Sequence, residues 1–428
     1  MKIFLLPFTI VILVIGVPIG YMLGIVSVGG LLEMGGWPFL RIIASRFFSG
    51  SENFILVTVP FFILTAELMN RSGMTERLIH FVNMLVGHYP GGLSHVNIGS
   101  SILFAGMSGA AVTDTVALGN ILIPTMKKEG YTPQYAAAVT ASSAIVGPII
   151  PPSVTMIVYG YITHMSVAAL FAAGVIPGVL MGGLLLIVSA IISVRYKFPR
   201  RETRATLKEI LVAGWDAFLS LMVPVIILGS ILAGIATVTE SSAVAVGYAF
   251  IVGMFILRTL KWKDLIPACI YTAKLTGVIF LILSTAHIFG WYITRVGIPK
   301  YTAQMIFGIT DNPIFILIMI NIFLIIIGMF MDILPAVLIL TPVLAPAAVQ
   351  AGVDPLHFAM IMLVNLNIGM ITPPFGMTLI TAARIADTSY DSVILAVWPF
   401  LLAEIVCLGL ITYIPWLVLS VPRALGFG

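Results

Sequence analysis

GMSGAAVTDT (106–115) leads to GPIIPP (147–152), and GMFMDILPAV (328–337) leads to GMITPP (369–374). Residues 106–152 and 328–374 lie over each other without a gap at a constant offset of 222. Twelve of the 47 aligned pairs are identical, and seven of these are Gly or Pro: Gly106/Gly328, Pro124/Pro346, Gly130/Gly352, Pro133/Pro355, Gly147/Gly369, Pro151/Pro373 and Pro152/Pro374. Such residues break helices, because Gly admits unusual backbone angles while Pro lacks a donor and clashes with the preceding turn. A duplicated soluble domain would keep its core Leu and Ala; this duplication keeps its interruptions. Interrupted apolar segments at matching places in two halves of a membrane protein point to a transport site near the bilayer midplane.

Composition agrees. The chain of 428 residues is 60% hydrophobic and 9% charged, with a mean hydropathy of +1.14. Globular domains are nearer a quarter charged, so this is an integral membrane protein with little soluble mass. Runs such as Ile3–Leu32, Ser166–Ser193 and Ile314–Met331 are long enough to span a hydrocarbon core of about 30 Å. Met1-Lys2 and the apolar run behind it are read as a retained first helix rather than a signal peptide, since no small-x-small site precedes a soluble domain. Cys269 and Cys407 both lie in apolar stretches and read as packing residues. The net charge of +4 comes from short basic loops and says nothing of nucleic acid.

The expected fold is an all-α polytopic membrane protein with two re-entrant hairpins and two broken helices. Residues 1–53 hold a first span (3–28) and an interfacial amphipathic segment with Arg41 and Arg46. Residues 54–194 form the first repeat, with a hairpin at about 93–126 and a broken helix at 133–163. A basic cytoplasmic linker (195–212) and central scaffold spans (213–270) follow. The second repeat covers 271–421, with a hairpin at about 313–350 and a broken helix at 355–385. Lys127, Lys128 and Glu129 in the first copy stand where the second has Val349, Gln350 and Ala351. A loop basic in one half and neutral in the other is expected when the halves face opposite sides, so the repeat is read as inverted. Arg41 and Arg46 fit that parity less well.

The interruptions suggest the chemistry. Non-helical backbone at bilayer depth survives only where protein or a cavity satisfies it. Unwound carbonyls can coordinate Na⁺, and half-helix N-termini favour an anion. Oxygen side chains cluster beside the breaks: Ser108, Thr113 and Asp114 at the first tip, and Ser142, Ser143, Ser153 and Thr155 around the first break. Asp332, Asn365, Asn367, Thr372 and Thr378 occupy the second copy. The plainer readings are close helix packing for the Gly and Ser residues, and helix capping for Asp114 and Asp332. Glu240 reads as a structural hydrogen-bonder, and Glu67 and Glu404, near span ends, as solvated groups. Ser142, Ser143, Ser153, Thr155, Asn365, Asn367 and Thr378 are taken as the substrate-binding set; with no Arg or Lys near either tip, hydroxyl and backbone recognition of a polyol acid is expected. Six scattered histidines show no metal spacing. GMSGA is not GxSxG and no base accompanies Ser108, so the chain does not read as an enzyme.

At PFFILTAELMNRSGM (60–74), FAGMSGAAVTDT (104–115), KKEGYTPQYAAAVTASSAIVGPIIPPS (127–153), GIATVTESSAVA (234–245), GMFMDILPAVLILTPVLAP (328–346) and IGMITPPFGMTL (368–379) the chain resembles the DctM-like large membrane subunit of tripartite ATP-independent periplasmic (TRAP) transporters. The likeness covers essentially the whole chain. It implies a sodium-coupled importer of an organic acid such as sialic acid, a C4-dicarboxylate or a sugar acid. It further implies an elevator mechanism, in which a transport domain moves against a scaffold. The implied partners are a small four-helix membrane subunit (DctQ-like), a periplasmic substrate-binding protein and membrane lipid, in a bacterial or archaeal inner membrane. The family often has Pro where this chain has Val238, a mild departure that leaves Glu240 in place. By motif position, Na⁺ would be held at Gly106, Ser108, Thr113, Gly147, Pro148, Gly328, Asp332, Gly369, Thr372 and Pro374, with no organic cofactor. A stand-alone sodium/divalent-anion symporter and a channel-like membrane subunit remain as alternatives.

Overall fold

The computed structural model describes residues 15–35, 39–201 and 203–427, apart from the side chains of 35, 40 and 106–108. The start of the expected first span, 3–14, lies outside these residues. All regular structure among the described residues is helical. The helices are α1 (Ile19–Gly35), α2 (Leu40–Ser49), α3 (Thr58–Arg71), α4 (Met74–Val86), α5 (Gly92–Ser108), α6 (Ala111–Lys128), α7 (Pro133–Ala144), α8 (Val154–Thr163), α9 (Val167–Tyr196) and α10 (Leu207–Leu232). They continue with α11 (Val238–Ile251), α12 (Trp262–Val296), α13 (Ile298–Ile309), α14 (Pro313–Phe330), α15 (Ile333–Gln350), α16 (Pro355–Gly369), α17 (Met377–Ala386), α18 (Tyr390–Tyr413) and α19 (Trp416–Ala424). Among the described residues, eight helical segments are long and apolar enough to cross a membrane.

The duplication extends to the helix ends. α5 and α14 end at Ser108 and Phe330, α6 and α15 run over Ala111–Lys128 and Ile333–Gln350, and α7 and α16 start at Pro133 and Pro355, each pair at the same offset of 222. Proline at N1 suits a helix start, where no intrahelical donor is lost. Asp354 Oδ1 completes that start in α16 by accepting from Leu356 N (2.9 Å) and His357 N (3.1 Å). The first halves end at Ala144 and Gly369, and each break then turns tightly: Gly147 N donates to Ala144 O (3.1 Å) and Thr372 N to Gly369 O (2.9 Å). Pro151–Pro152 and Pro373–Pro374 are both cis.

Packing sorts the helices into two groups. In one, α12 lies against α1, α2 and α3, with α11 on α3 and α10 on α11. In the other, α5–α9 and α14–α19 surround the breaks, while amphipathic α4 and α13 flank α5 and α15. The second half of each broken helix crosses to the other repeat: α8 packs on α15, and α17 on α6 and α7. Lys127 Nζ donates to Ala386 O (2.8 Å), so the end of the first hairpin caps the end of α17. A cation at a helix C-terminus suits the partial negative charge there.

Several expected boundaries move. The linker is shorter, because α9 reaches Tyr196 and a capping box of Thr206 and Glu209 starts α10 at Leu207. The boundary at 270/271 falls inside α12, which starts where Asp264 accepts from Lys261 N (3.0 Å). At 35 residues α12 is about 50 Å long, longer than a bilayer core, which is why its charged start read as loop. The expected final span divides into α18 and α19 at Pro415. Glu404 is not solvated: it is fully buried on the face of α18 that packs against α7, α9 and α16, and neither carboxyl oxygen has a partner among the described residues.

Candidate functional site

Two glycine contacts set the breaks against the hairpins. A Cβ on Gly369 would lie 2.5 Å from Gly328 Cα and 2.6 Å from its carbonyl carbon, so the second break touches α14 backbone to backbone. A Cβ on Gly147 would lie 2.1 Å from Asp114 Oδ2, so the carboxylate of the first hairpin sits directly on the first break. Hence the duplication retains Gly at 147 and 369. Gly106, the counterpart of Gly328, and Ser108 lie in the last turn of α5, and their side chains are outside the described residues.

A cavity of about 310 Å³ lies between the two helix groups. Its walls include Gly109–Thr113 at the first tip, Asp332–Pro335 at the second, Val154 and Thr155 after the first break and Met377 after the second. α6, α8, α15 and α17 all begin at this wall. Asp332 caps α15, its Oδ1 accepting from Ile333 N (2.8 Å), and Ser153 caps α8, accepting from Met156 N (3.4 Å). No side chain caps α6 (Ala110) or α17 (Gly376), and although Thr378 N in the first turn of α17 donates to Met370 O (3.3 Å), both starts carry the partial positive charge of a helix N-terminus.

The opposite wall comes from α3 (Ile63, Ala66, Glu67, Asn70) and α12 (Tyr271 to Ile282). Glu67 Oε1 accepts from Arg71 Nε at 2.7 Å, and Tyr271 lines the same cavity as Thr113. Sequence reading took Glu67 as a solvated group near a span end and passed over Asn70 and Tyr271, whereas all three line the cavity. The signal for the α3 face was present: Ile63, Ala66, Glu67 and Asn70 recur at i, i+3, i+4 and i+7.

The expected substrate set is not assembled on the cavity, whose wall includes only Thr155 from that set. Ser153 Oγ donates to Pro148 O (2.6 Å), Thr155 Oγ1 reaches the same carbonyl (3.4 Å), and Thr378 Oγ1 donates to Met370 O (2.8 Å). Positions 148 and 370 correspond in the repeat, so these hydroxyls seal equivalent carbonyls of the breaks. Ser143 belongs to a buried network in which Ser101 Oγ donates to it (2.8 Å) and it reaches Asn97 Oδ1 (3.0 Å). Ser142 is fully buried in α7. Asn365 Nδ2 donates to Asn321 O (3.1 Å) and Asn321 Oδ1 (2.9 Å), and Asn367 Nδ2 to Leu363 O (2.8 Å). Both asparagine Oδ1 atoms are buried without a donor among the described residues.

Of the expected sodium set, Thr113 and Asp332 line the cavity. Gly147, Pro148, Gly328 and Gly369 are buried behind it, the half-buried Thr372 donates to Ile368 O (2.7 Å), and Pro374 is exposed. Glu240 is the N3 partner of Thr237 in the capping box that starts α11, a structural role that Val238 leaves intact. No group of three or more metal-ligating His, Cys, Asp or Glu occurs among the described residues.

Comparison with known proteins gives the relatives of this arrangement. The family described as tripartite ATP-independent periplasmic transporter, DctM component, matches residues 6–417. The sialic acid TRAP transporter large permease protein SiaM of Vibrio cholerae is 38% identical, with 96% of each chain covered. The C4-dicarboxylate TRAP transporter large permease protein DctM of Rhodobacter capsulatus is 33% identical, covering 97% of this chain and 98% of that one. The sialic acid TRAP transporter permease protein SiaT of Haemophilus influenzae is 38% identical over 97% of this chain but 67% of its own length. Among solved structures, the Alcanivorax borkumensis YdaH transporter matches with a TM-score of 0.67 at 14% identity, covering 90% of this chain and 89% of that one, a likeness of fold.

Proposed function

The chain belongs to the DctM component family of tripartite ATP-independent periplasmic transporters, and on that premise we propose that it is the permease subunit of a sodium-coupled, binding-protein-dependent importer of an organic acid. The observation that carries this reading is the meeting of both tips and the ends of both breaks on one cavity between two helix groups. The substrate carboxylate would sit at the N-termini of α6 and α17, which present backbone donors, with Thr113, Thr155 and Tyr271 beside it. No Lys or Arg lines that cavity among the described residues, so backbone N–H groups are the anion's natural partners. Its relatives' named substrates, sialic acid and C4-dicarboxylates, are acids of this kind.

Sodium fits the residues present. The donor-free Oδ1 atoms of Asn365 and Asn367 are buried hard oxygens, and the Gly147 carbonyl at the first break would supply another of the ligand type Na⁺ takes in broken-helix transporters. On this reading Asn365 and Asn367 serve the ion rather than the substrate. Bound Na⁺ would supply positive charge behind the α6 and α17 termini and so favour the anion. For transport, α5–α9 and α14–α19 would move as a body along α3 and α12, an elevator motion that must carry Thr113 past Tyr271. The small membrane subunit and a periplasmic binding protein would complete the system in the inner membrane.

The test is uptake into liposomes carrying the complete system, with radiolabelled sialic acid, a C4-dicarboxylate and a sugar acid, with and without an inward Na⁺ gradient. Uptake that needs both the gradient and the binding protein supports the proposal. Uptake without the binding protein would favour a stand-alone symporter, and substrate-independent conductance would favour a channel-like subunit.

A further inference from the structure

Arg46, with Arg41, is left unexplained by charge parity. Its guanidinium lies 5.7 Å from the centroid of the Trp291 ring near the end of α12. From Lys263, in the basic cluster at the start of that helix, to Trp291 is about 40 Å of helix, more than a bilayer core. Arg46 therefore stands on the side of the membrane opposite the basic loops. It is held there: α2 ends at Gly50, which packs against Ser284 and His287, and the Tyr161 hydroxyl of α8 donates to Ser49 O (3.1 Å).

Arg46 lines a second cavity, of about 820 Å³. The same three helices run through both cavities in the same order. α12 contributes Tyr271 to Ile282 to the first and Leu283 to Thr294 to the second; α15 contributes Ile333–Pro335 and then Leu338 to Gln350; α8 contributes Val154–Thr155 and then Tyr159 to Thr163. The cavities are thus successive chambers of one crevice, and the upper one is on the far side from the basic loops. The polar character of the two differs. The wall of the lower chamber has Glu67 and Asp332 and no basic side chain, whereas the wall of the upper has Arg46, His164 and His287 and no acid among the described residues. Arg46 has no carboxylate partner there; the one ion pair among the described residues is Arg71–Glu67.

We propose that the upper chamber is an anion station, in which Arg46, stacked on Trp291, takes the carboxylate of an incoming organic acid before it reaches the tips. This rests on the importer reading above for its substrate, but not for its chemistry. A planar guanidinium pairs with a carboxylate in bidentate fashion, and stacking on an indole fixes the plane it offers. The chamber has room for a sugar acid, and its apolar walls strengthen a lone charge by excluding water.

Two measurements test it. In a neutral detergent, a variant keeping Trp291 as its sole tryptophan is quenched by iodide, an anion, and by neutral acrylamide at constant ionic strength. Arg46→Gln should lower iodide quenching at least twofold, in line with loss of a local charge, and leave acrylamide quenching unchanged, while Arg46→Lys keeps both. Equal iodide quenching in Arg46→Gln overturns the proposal. In liposomes with the complete system, Arg46→Gln with all tryptophans intact should raise the half-saturating concentration of the imported acid about five- to tenfold, the loss of one charge-assisted contact, with maximal rate little changed. A loss of maximal rate alone, with half-saturation unchanged, would mean a structural role and overturn it. Altered iodide quenching in a protein that imports no organic acid would keep the anion station and remove the importer reading.

Discussion

Replacing Gly369 by Ala puts one methyl group where the structure has two backbones in contact. The new Cβ would lie 2.5 Å from Gly328 Cα, and ordinary contact begins at 3.4 Å, so α14 and the second break must separate by about 0.9 Å. The obstacle is main chain, which cannot rotate aside as a side chain would. Overpacking of this kind destabilises by about 1–3 kcal/mol. The displacement falls on α14, which leads into the tip at Asp332, and a shift near 1 Å at an organised site can lower a rate on the order of 10²-fold. Na⁺-driven uptake by Gly369→Ala should therefore fall by about that factor, with a lower apparent unfolding temperature in detergent. The control is Gly247→Ala on α11, where a Cβ meets nothing within 4 Å. There Ala should be neutral or stabilise by about 0.5–1 kcal/mol through helix propensity. Wild-type uptake and stability in Gly369→Ala would refute the claim that this backbone contact positions the site.

Gly147→Ala should likewise displace the Asp114 carboxylate, 2.1 Å from the added Cβ, and abolish uptake, while Asp114→Ala in the same background should restore stability in a heat-denaturation assay. Glu240→Ala should lower the apparent unfolding temperature slightly through loss of the capping box and leave the half-saturating substrate concentration unchanged, as a ligand at the site would not.

Helix ends were legible in this sequence wherever Gly and Pro carried local meaning. Pro133 and Pro355 start helices and Gly147 and Gly369 end or follow them at the same spacing, because their backbone constraints act without tertiary context. Side-chain direction was less legible. Every residue from Tyr135 to Ala144 of α7 is buried, so no polar stripe marks a face, and Ser142 and Ser143 could not be told from cavity groups by pattern. Hydroxyls beside a break serve two chemistries equally well, and Ser153 and Thr378 turn inward to the break carbonyls. Tyr271 was hidden differently: it belongs to α12, outside the duplicated core, and joins Thr113 on the cavity wall only through tertiary packing. Glu404 misled because its distance from a span end suggests exposure, whereas packing on α7, α9 and α16 removes it.

The crossing of α8 onto α15 and of α17 onto α6 and α7 bears on how the protein is made. When α8 leaves the ribosome, its packing partner lies nearly two hundred residues downstream; at roughly 5–20 residues per second the wait is on the order of ten seconds or more. Until then the start of α8, buried in the folded protein, and the uncovered face of α6 have only lipid or the translocation machinery against them. The order of synthesis therefore leaves the first repeat incomplete until the second arrives, and a chain truncated before Ile333 should be cleared by membrane proteases rather than persist as half a transporter.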